Sequence, residues 1–126
     1  MNKGFVRKFL NEFAKVADRF SEDDINKAVE ILFEAWKKGN KIFIIGNGGS
    51  ASTASHFACD LAKTTAVEGK KRVKVISLTD NVPLLTALMN DKGFARIFVE
   101  QLRNLLEKDD VVIAISVHGG AGQGKA

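Results

Sequence analysis

A glycine-rich segment near the middle of the chain carries the residues with the clearest potential for chemistry. Residues 46–50 read Gly-Asn-Gly-Gly-Ser, directly after the apolar run 42–45 and before a segment rich in Ser, Thr and Ala. A strand, a tight glycine turn and a helix N-terminus in that order form a site for anions. Glycines let backbone N–H groups approach a ligand closely, and the helix dipole adds partial positive charge. The segment predicts an anion-binding loop.

A histidine and an aspartate follow this loop at a spacing that suits a helix. His56 and Asp60 are four residues apart, inside the predicted helix 50–63. They therefore share one face of that helix and could meet the same substrate or metal ion. Imidazole and carboxylate groups are frequent general acids and bases. The structural alternative makes His56 a buried, hydrogen-bonded helix residue and Asp60 a surface acid paired with Lys63.

Strands and helices alternate along the rest of the chain. Unbroken apolar runs predict strands, and apolar residues at helical spacing predict helices. The predicted strands are 41–45, 73–77 and 111–116, and the predicted helices are 3–20, 21–38, 50–63, a short one from Asn81 that breaks at 90–93, and 94–107.

This order predicts an α/β fold, a doubly wound parallel sheet of the flavodoxin-like or Rossmann-like kind, preceded by two N-terminal helices. We expect a single domain over 1–126, with a helical segment at about 1–38 and an α/β part at about 41–126. Ligands bind beyond the C-terminal ends of the strands in such sheets. The loops at Gly46, Asp80 and Ser116 are therefore expected to line one crevice.

The first helix carries an apolar stripe with two open interpretations. Its members recur at spacings of three or four residues, and they are Phe5, Phe9, Phe13, Val16 and Phe20. Such a stripe is either packed into the core of the same chain or packed against a second subunit.

Composition excludes several functional classes. The net charge is +4, but the 19 Lys and Arg residues are interspersed with 15 acids, and only 70–72 forms a basic run, which argues against nucleic-acid binding. No apolar run approaches the ~18 residues of a membrane span. The single cysteine, Cys59, rules out an internal disulfide, fits a reducing cytoplasm and is expected to be a buried core thiol.

Two further motif interpretations of the glycine-rich segments are weak. Gly46-x-Gly48-x-x-Ala51 matches a dinucleotide-binding pattern, but Asp80 comes far too late to be the acid expected about 20 residues on. Residues 119–125 contain most of a Walker A loop, but Ala126 stands where the magnesium-binding Ser or Thr belongs, and no helix is predicted to follow.

A third interpretation accounts for most of the chain. Residues 46–58, Gly-Asn-Gly-Gly-Ser-Ala-Ser-Thr-Ala-Ser-His-Phe-Ala, resemble the first signature of the SIS (sugar isomerase) domain family, and more closely its phosphoheptose isomerase branch. The stretches 77–80, 90–94 and 109–116 resemble later segments of that family in order and spacing.

The resemblance implies a cytoplasmic, homo-oligomeric enzyme, a tetramer or a dimer. It would convert sedoheptulose 7-phosphate to D-glycero-D-manno-heptose 7-phosphate by proton transfer through an enediol. His56 and Asp60 would be catalytic, and the same two residues would be ligands of one zinc ion. The substrate-binding residues implied by the resemblance are Asn47, Gly48, Gly49, Ser50, Asp80, Ser116, Val117, His118 and Gly119.

The sequence also departs from the family pattern. Asp60 stands where the family has a glutamate, and 117–121 lacks most of the hydroxyls of the family's second loop. The chain ends just after that loop, so we expect the C-terminal part of the domain to be missing or its groups to come from another copy. The alternative function is a non-catalytic SIS module that binds a phosphosugar or a protein partner, as do the SIS proteins that associate with the bacterial replication initiator.

Overall fold

The structure is a computed structural model that describes residues 4–119. Within these residues, five helices and three strands follow one another in the order that the sequence predicts, apart from a short 3-10 turn before the last helix. They are α1 (Phe5–Ala17), α2 (Glu22–Lys38), β1 (Lys41–Gly46), α3 (Gly49–Lys63), β2 (Lys74–Ser77), α4 (Val82–Lys92), the 3-10 turn (Phe94–Arg96), α5 (Ile97–Leu105) and β3 (Val111–Ile115). Among the helices within 4–119, none is long and apolar enough to cross a membrane.

The chain divides into two compact units inside α2, the first ending at Ile31 and the second beginning at Leu32. In the first unit, no residue of α1 is buried, and its phenylalanines are more than half exposed. Ser21 accepts a hydrogen bond from the N–H of Asp24 at 3.2 Å and so caps the start of α2.

In the second unit, three parallel strands form a sheet in the order β2-β1-β3. β1 is the central strand because the chain steps to one side of it through α3 and then to its other side through α4 and α5. This reversal of direction is the switch point at which open parallel sheets bind ligands. The predicted α/β class and parallel sheet are confirmed.

The core is centred on β1. Ile42 and Ile44 are buried against Ala54 and Ala58 of α3 and against Ala35 of α2. Phe43, fully buried, points to the opposite face because side chains alternate along a strand. Crossovers between parallel strands are right-handed as a rule, and with the order β2-β1-β3 this rule puts α3 and the α4–α5 pair on opposite faces of the sheet.

Burial differs from the sequence-based expectation at several positions. Cys59 is exposed, so the prediction of a core thiol is wrong. The face of α3 that packs against the sheet carries Ala54 and Ala58, and Cys59, the next residue, lies outside that face. Ile25 and Val29 of α2, apolar residues one helical turn apart, are exposed.

The boundaries of the last two helices also differ. α4 continues through 90–92, and Gly93 caps its C-terminus with a φ of 86°, which belongs to the left-handed region that favours glycine. The single long helix predicted over 94–107 is instead a 3-10 turn followed by α5.

Candidate functional site

The glycine loop connects β1 to α3 and requires glycine at its first position. A Cβ atom on Gly46 would lie 2.5 Å from the carbonyl oxygen of Ser50, so the first turn of α3 packs directly on the end of the strand. Gly48 has a φ of 55°, in the left-handed region. The turn closes through a 3.0 Å hydrogen bond from the N–H of Ser50 to the carbonyl of Asn47.

The same loop leaves donors at the start of α3. Gly48, the N-cap residue, makes no side-chain cap. Within 4–119, the backbone hydrogen bonds of the loop do not use the N–H groups of Gly48 and Gly49. Helix N-termini attract anions because such N–H groups and the helix dipole point at the ligand. These two N–H groups are placed where an anion could accept from them, and anion binding by the loop stays a prediction.

A cluster of hydroxyls and one carboxylate follows β2, beside this loop. The hydroxyl of Thr79 lies 2.6 Å from that of Ser77 and 2.9 Å from that of Ser55 on α3. Ser55 donates to Asp80 Oδ1, which also accepts from Thr79 at 3.2 Å. Asp80, predicted to contact sugar hydroxyls, is thus fixed to α3 through one carboxylate oxygen, and its substrate contact stays a prediction.

A pocket of about 220 Å³ opens between the glycine loop and the helices α4 and α5. Residues 46–48 of the loop are part of its lining, which is mainly apolar. The lining residues are Gly46, Asn47, Gly48, Ala51, Thr79, Leu85, Thr86, Met89, Phe94, Ile97 and Phe98.

The segment after β3 reaches the same edge of the sheet. Gly46 is paired with Ile115, so Ser116 follows β3 beside the start of the glycine loop. Residues 116–119, including Val117 and His118, are exposed, and Gly119 has a φ of 59°. Their predicted role in phosphate binding stays a prediction. The Walker-like motif extends to residues outside those described.

His56 and Asp60 are close together but lie away from the pocket. His56 Nε2 is 3.4 Å from Asp60 Oδ2, as their spacing on one helix turn predicts. Their side chains are 79% and 56% exposed, and neither lines the pocket. Asp60 pairs with His56 rather than with Lys63. The structure confirms the pair and does not bring it to the glycine loop within the described chain.

The expected zinc site is not completed by the residues described. Zinc takes four ligands in structural sites and three protein ligands with an open position in catalytic ones. His56 and Asp60 supply two donors, and within 4–119 no group of three His, Cys, Asp or Glu side chains is placed to hold a metal ion. The described residues therefore do not fit a zinc site by themselves.

A parallel α/β sheet with a glycine-rich loop after its central strand defines a class of ligand-binding domains, and comparison with known proteins gives the family within that class. A family model described as "SIS domain" matches residues 5–123, which is almost the whole chain. The chain therefore belongs to the SIS domain family, as its first loop predicts.

Individual relatives extend this assignment. The chain is 40% identical over 120 residues to the lincomycin biosynthesis protein LmbN of Streptomyces lincolnensis, covering 95% of this chain and 44% of the relative. It is 38% identical over 124 residues to a phosphoheptose isomerase of Aliarcobacter butzleri, covering 96% of this chain and 65% of the relative. The chain thus spans about half to two thirds of the length of these curated relatives.

A solved structure has the same fold. The phosphoheptose isomerase of Francisella tularensis superimposes with a TM-score of 0.82 at 26% identity, over 92% of this chain and 62% of that protein. The likeness to phosphoheptose isomerases that the sequence predicts is confirmed.

The sequence alone does not predict the apolar wall of the pocket or the burial of the Gln101 side chain. Leu85, Met89, Phe94 and Phe98 line the pocket, but apolar residues at helical spacing carry no signal that separates pocket walls from core. Gln101, almost fully buried, could have been recognised as a polar residue inside the apolar stripe of the last helix.

Proposed function

We propose that this protein is a phosphosugar isomerase of the phosphoheptose isomerase type, which interconverts sedoheptulose 7-phosphate and D-glycero-D-manno-heptose 7-phosphate. The observation that carries the proposal is the glycine loop at the end of β1, with open N–H donors at the start of α3, beside a pocket. The identity to phosphoheptose isomerases over nearly the whole chain supports it.

The reaction moves one proton between neighbouring carbons. A base removes a proton from the carbon that bears the hydroxyl beside the ketone, and the carbonyl oxygen gains a proton, which gives the enediol. A proton then returns to the former carbonyl carbon while the neighbouring hydroxyl loses its proton and becomes the aldehyde oxygen. Such a reaction needs a group that can both accept and donate a proton, together with donors that hold the phosphate. In this proposal Asp60 and His56 exchange the proton, and Asn47, Ser50 and the N–H groups of the glycine loop hold the substrate.

The second phosphate contact comes from the segment after β3. Ser116, Val117, His118 and Gly119 follow the strand that pairs with β1, so they approach the same ligand from the other side of the switch point. Asp80 binds sugar hydroxyls from the end of β2.

The exposure of the proton-transfer pair requires something to cover it. Two side chains that are 79% and 56% exposed do not exclude water from a reacting carbon. We propose that the active protein is a homo-oligomer, a dimer or a tetramer, and that this face of α3 is covered in the assembly. The exposed apolar stripe of α1 is the candidate surface through which the copies of the chain associate.

The exposure of the same pair favours a second candidate function. A non-catalytic SIS module would bind the phosphosugar through the glycine loop, or would bind a protein partner. Such a module does not need His56 and Asp60 to be shielded from water. Aspartate at position 60, one methylene shorter than the family's glutamate, favours the same alternative.

Two measurements separate these functions. Calorimetry with sedoheptulose 7-phosphate, with and without zinc, tests binding, and the absence of binding in both conditions would overturn both phosphosugar proposals. NMR in deuterated water then tests catalysis, because isomerisation incorporates solvent deuterium into the sugar. Binding without incorporation would identify the non-catalytic module.

A zinc ion and a cytoplasmic location are proposals of their own. His56 and Asp60 would be two of the zinc ligands, and the remaining ligands would have to come from residues beyond those described. Metal analysis of the purified protein and of a His56→Ala variant tests this ion. A reduced Cys59 in protein taken directly from cells would support the cytoplasmic location.

A further inference from the structure

A buried side-chain amide lies behind the candidate site. Gln101, on α5, is only 3% exposed. A buried amide left without partners destabilises a core, so its hydrogen bonds matter to the fold around it. What Gln101 contacts therefore indicates what it does.

Gln101 joins α5 to the residue that follows β2. Its Nε2 donates to the carbonyl of Ile97 at 2.9 Å, which is a contact within the helix, and to the carbonyl of Leu78 at 3.1 Å, 23 residues away in sequence. Leu78 is fully buried, and its N–H donates to the carbonyl of Ile44 at 3.0 Å. Leu78 is thus held by β1 on one side and by α5 on the other.

Leu78 lies at the point where regular strand pairing has ended. The last residue of β2 in register with β1 is Ser77, opposite Ile44. Thr79 and Asp80 follow immediately, and Thr79 lines the pocket while Asp80 accepts from Ser55 of α3. Ser55 holds the side chains of these two residues, whereas their backbone continues from Leu78, so whatever fixes the Leu78 carbonyl also constrains where they begin.

We infer that Gln101 is a positioning residue for the ligand site: by holding the carbonyl of Leu78, it fixes Thr79 and Asp80 at the edge of the pocket beside the glycine loop. Gln101 does not line the pocket itself, so it acts through this segment. The part of the inference that concerns a ligand rests on the proposed phosphosugar function, and the part that concerns the segment does not.

The test compares three variants of the full chain. Gln101→Met keeps the length of the side chain and removes its donor. Gln101→Glu replaces the donor with a buried carboxyl, which donates to Leu78 only when it is protonated. Asn104→Met makes the same amide-to-thioether change at an exposed position of the same helix and is the matched control.

The first measurement needs no ligand. Hydrogen exchange at the amide of Leu78 is expected to be about tenfold or more faster in Gln101→Met than in the parent and unchanged in Asn104→Met, with exchange at core amides of β1 unchanged in both. Equal exchange at Leu78 in all three proteins would overturn the inference, whether or not a phosphosugar binds.

The second measurement uses sedoheptulose 7-phosphate as the probe. Gln101→Met should bind about tenfold more weakly than the parent, as expected for one or two lost hydrogen bonds. In an Asp80→Asn background the same change should cost about twofold or less, because the positioned carboxylate is already gone. An equal loss in both backgrounds would assign Gln101 a purely structural role and overturn the inference.

The third measurement is a pH profile. The affinity of Gln101→Glu, expressed as a ratio to that of the parent at each pH, should recover as the pH falls from about 8 to about 5.5, because burial raises the pKa of a carboxyl. A ratio that does not change with pH would contradict the role assigned to the donor. If the parent does not bind the probe at all, the proposed function fails, and the exchange at Leu78 alone decides the inference.

Discussion

The backbone N–H of Lys41 donates a 2.7 Å hydrogen bond to Asp110 Oδ1, and this contact joins the first residue of β1 to the residue before β3. The other carboxylate oxygen accepts from the N–H of Glu107 at 2.9 Å and lies 3.2 Å from the ammonium of Lys41. The side chain of Asp110 is 3% exposed. One carboxylate thus fixes the two strands at the end of the sheet opposite the glycine loop.

Replacing this carboxylate should destabilise the fold. Asp110→Ala removes an acceptor from two backbone N–H groups and the partner of a half-buried ammonium, so we expect the free energy of unfolding to fall by about 2–4 kcal/mol. Urea unfolding followed by circular dichroism measures the change. Glu68→Ala, at an exposed loop position, is the control and should change stability by less than about 0.5 kcal/mol. Equal stability of the two variants would contradict the prediction.

The same group should make stability depend on pH in acid. Burial of the Asp110 carboxyl opposes ionisation, but the N–H donors of Lys41 and Glu107 and the Lys41 ammonium outweigh it and hold the pKa of Asp110 below its usual range. A lowered folded-state pKa gives stability that is fully present above the unfolded-state value of about 3.9 and is lost as the pH falls through the folded-state value. The stability difference between the parent and Asp110→Asn should therefore shrink below about pH 4. A difference that grows in acid would contradict this sign.

Lys41 contributes to stability over a pH range that is bounded on the alkaline side, whereas the contribution of Asp110 is bounded on the acid side. Its hydrogen bond with Glu107, helped by Asp110 and opposed by desolvation, raises the pKa of Lys41 above its usual value. Its contribution is therefore fully present below about pH 10.4 and is lost as the pH rises through the raised folded-state value. Between these two windows, this cluster should contribute no slope to stability.

The glycine loop offers a matched pair of substitutions. A Cβ on Gly46 would lie 2.5 Å from the backbone oxygen of Ser50, whereas a Cβ on Gly49 meets nothing within 4 Å. Gly46→Ala should therefore displace the first turn of α3, lower the free energy of unfolding by about 1–3 kcal/mol and weaken phosphosugar binding. Gly49→Ala should leave stability unchanged or slightly raised, because alanine favours helix. Thermal unfolding and calorimetry on both variants measure these effects, and similar losses in the two would contradict the strand-to-helix packing.

Substitutions of the exposed pair His56 and Asp60 on α3 should affect catalysis without affecting stability. His56→Ala and Asp60→Asn each remove one exposed side-chain contact on the surface of α3, so unfolding should hardly change. Incorporation of solvent deuterium into the sugar should fall about a hundredfold or more, because a general acid or base contributes at least that much. Unchanged incorporation in both variants would remove His56 and Asp60 from the proposed mechanism.

The order of the elements follows from local chemistry, and so the sequence predicts it well. β1 is an unbroken run of apolar residues that needs cover on both faces. The N-cap of α4 is readable because Asn81 Oδ1 accepts from the N–H of Leu84 at 3.1 Å and Pro83 occupies the first turn. The glycine loop is readable because two of its glycines have positions that a side chain would clash with or strain.

Which side chains are buried depends on the elements that pack against each face of a helix or strand, so burial is harder to predict from one sequence than the order of the elements. The phase of α3 on the sheet is set by two small residues, Ala54 and Ala58, and it places Cys59 outside. The contact of Asp110 with β1 spans 69 residues, and a pair of aspartates in the sequence indicates only a turn. The pair of His56 and Asp60 was predictable from spacing, but its separation from the pocket was not, because that depends on how α3 is rotated.

The apolar stripe of α1 leads to the last prediction. Phe9 and Phe13 are 58% and 62% exposed, and burying such side chains in a contact yields about 1.5–3 kcal/mol each. We expect the protein to sediment as a dimer or tetramer, and Phe9→Glu to shift it toward the 13.7 kDa monomer. Asn11→Glu, which adds the same charge to the polar side of α1, should leave the assembly intact. A monomeric parent, or equal dissociation of both variants, would contradict a self-association through this stripe.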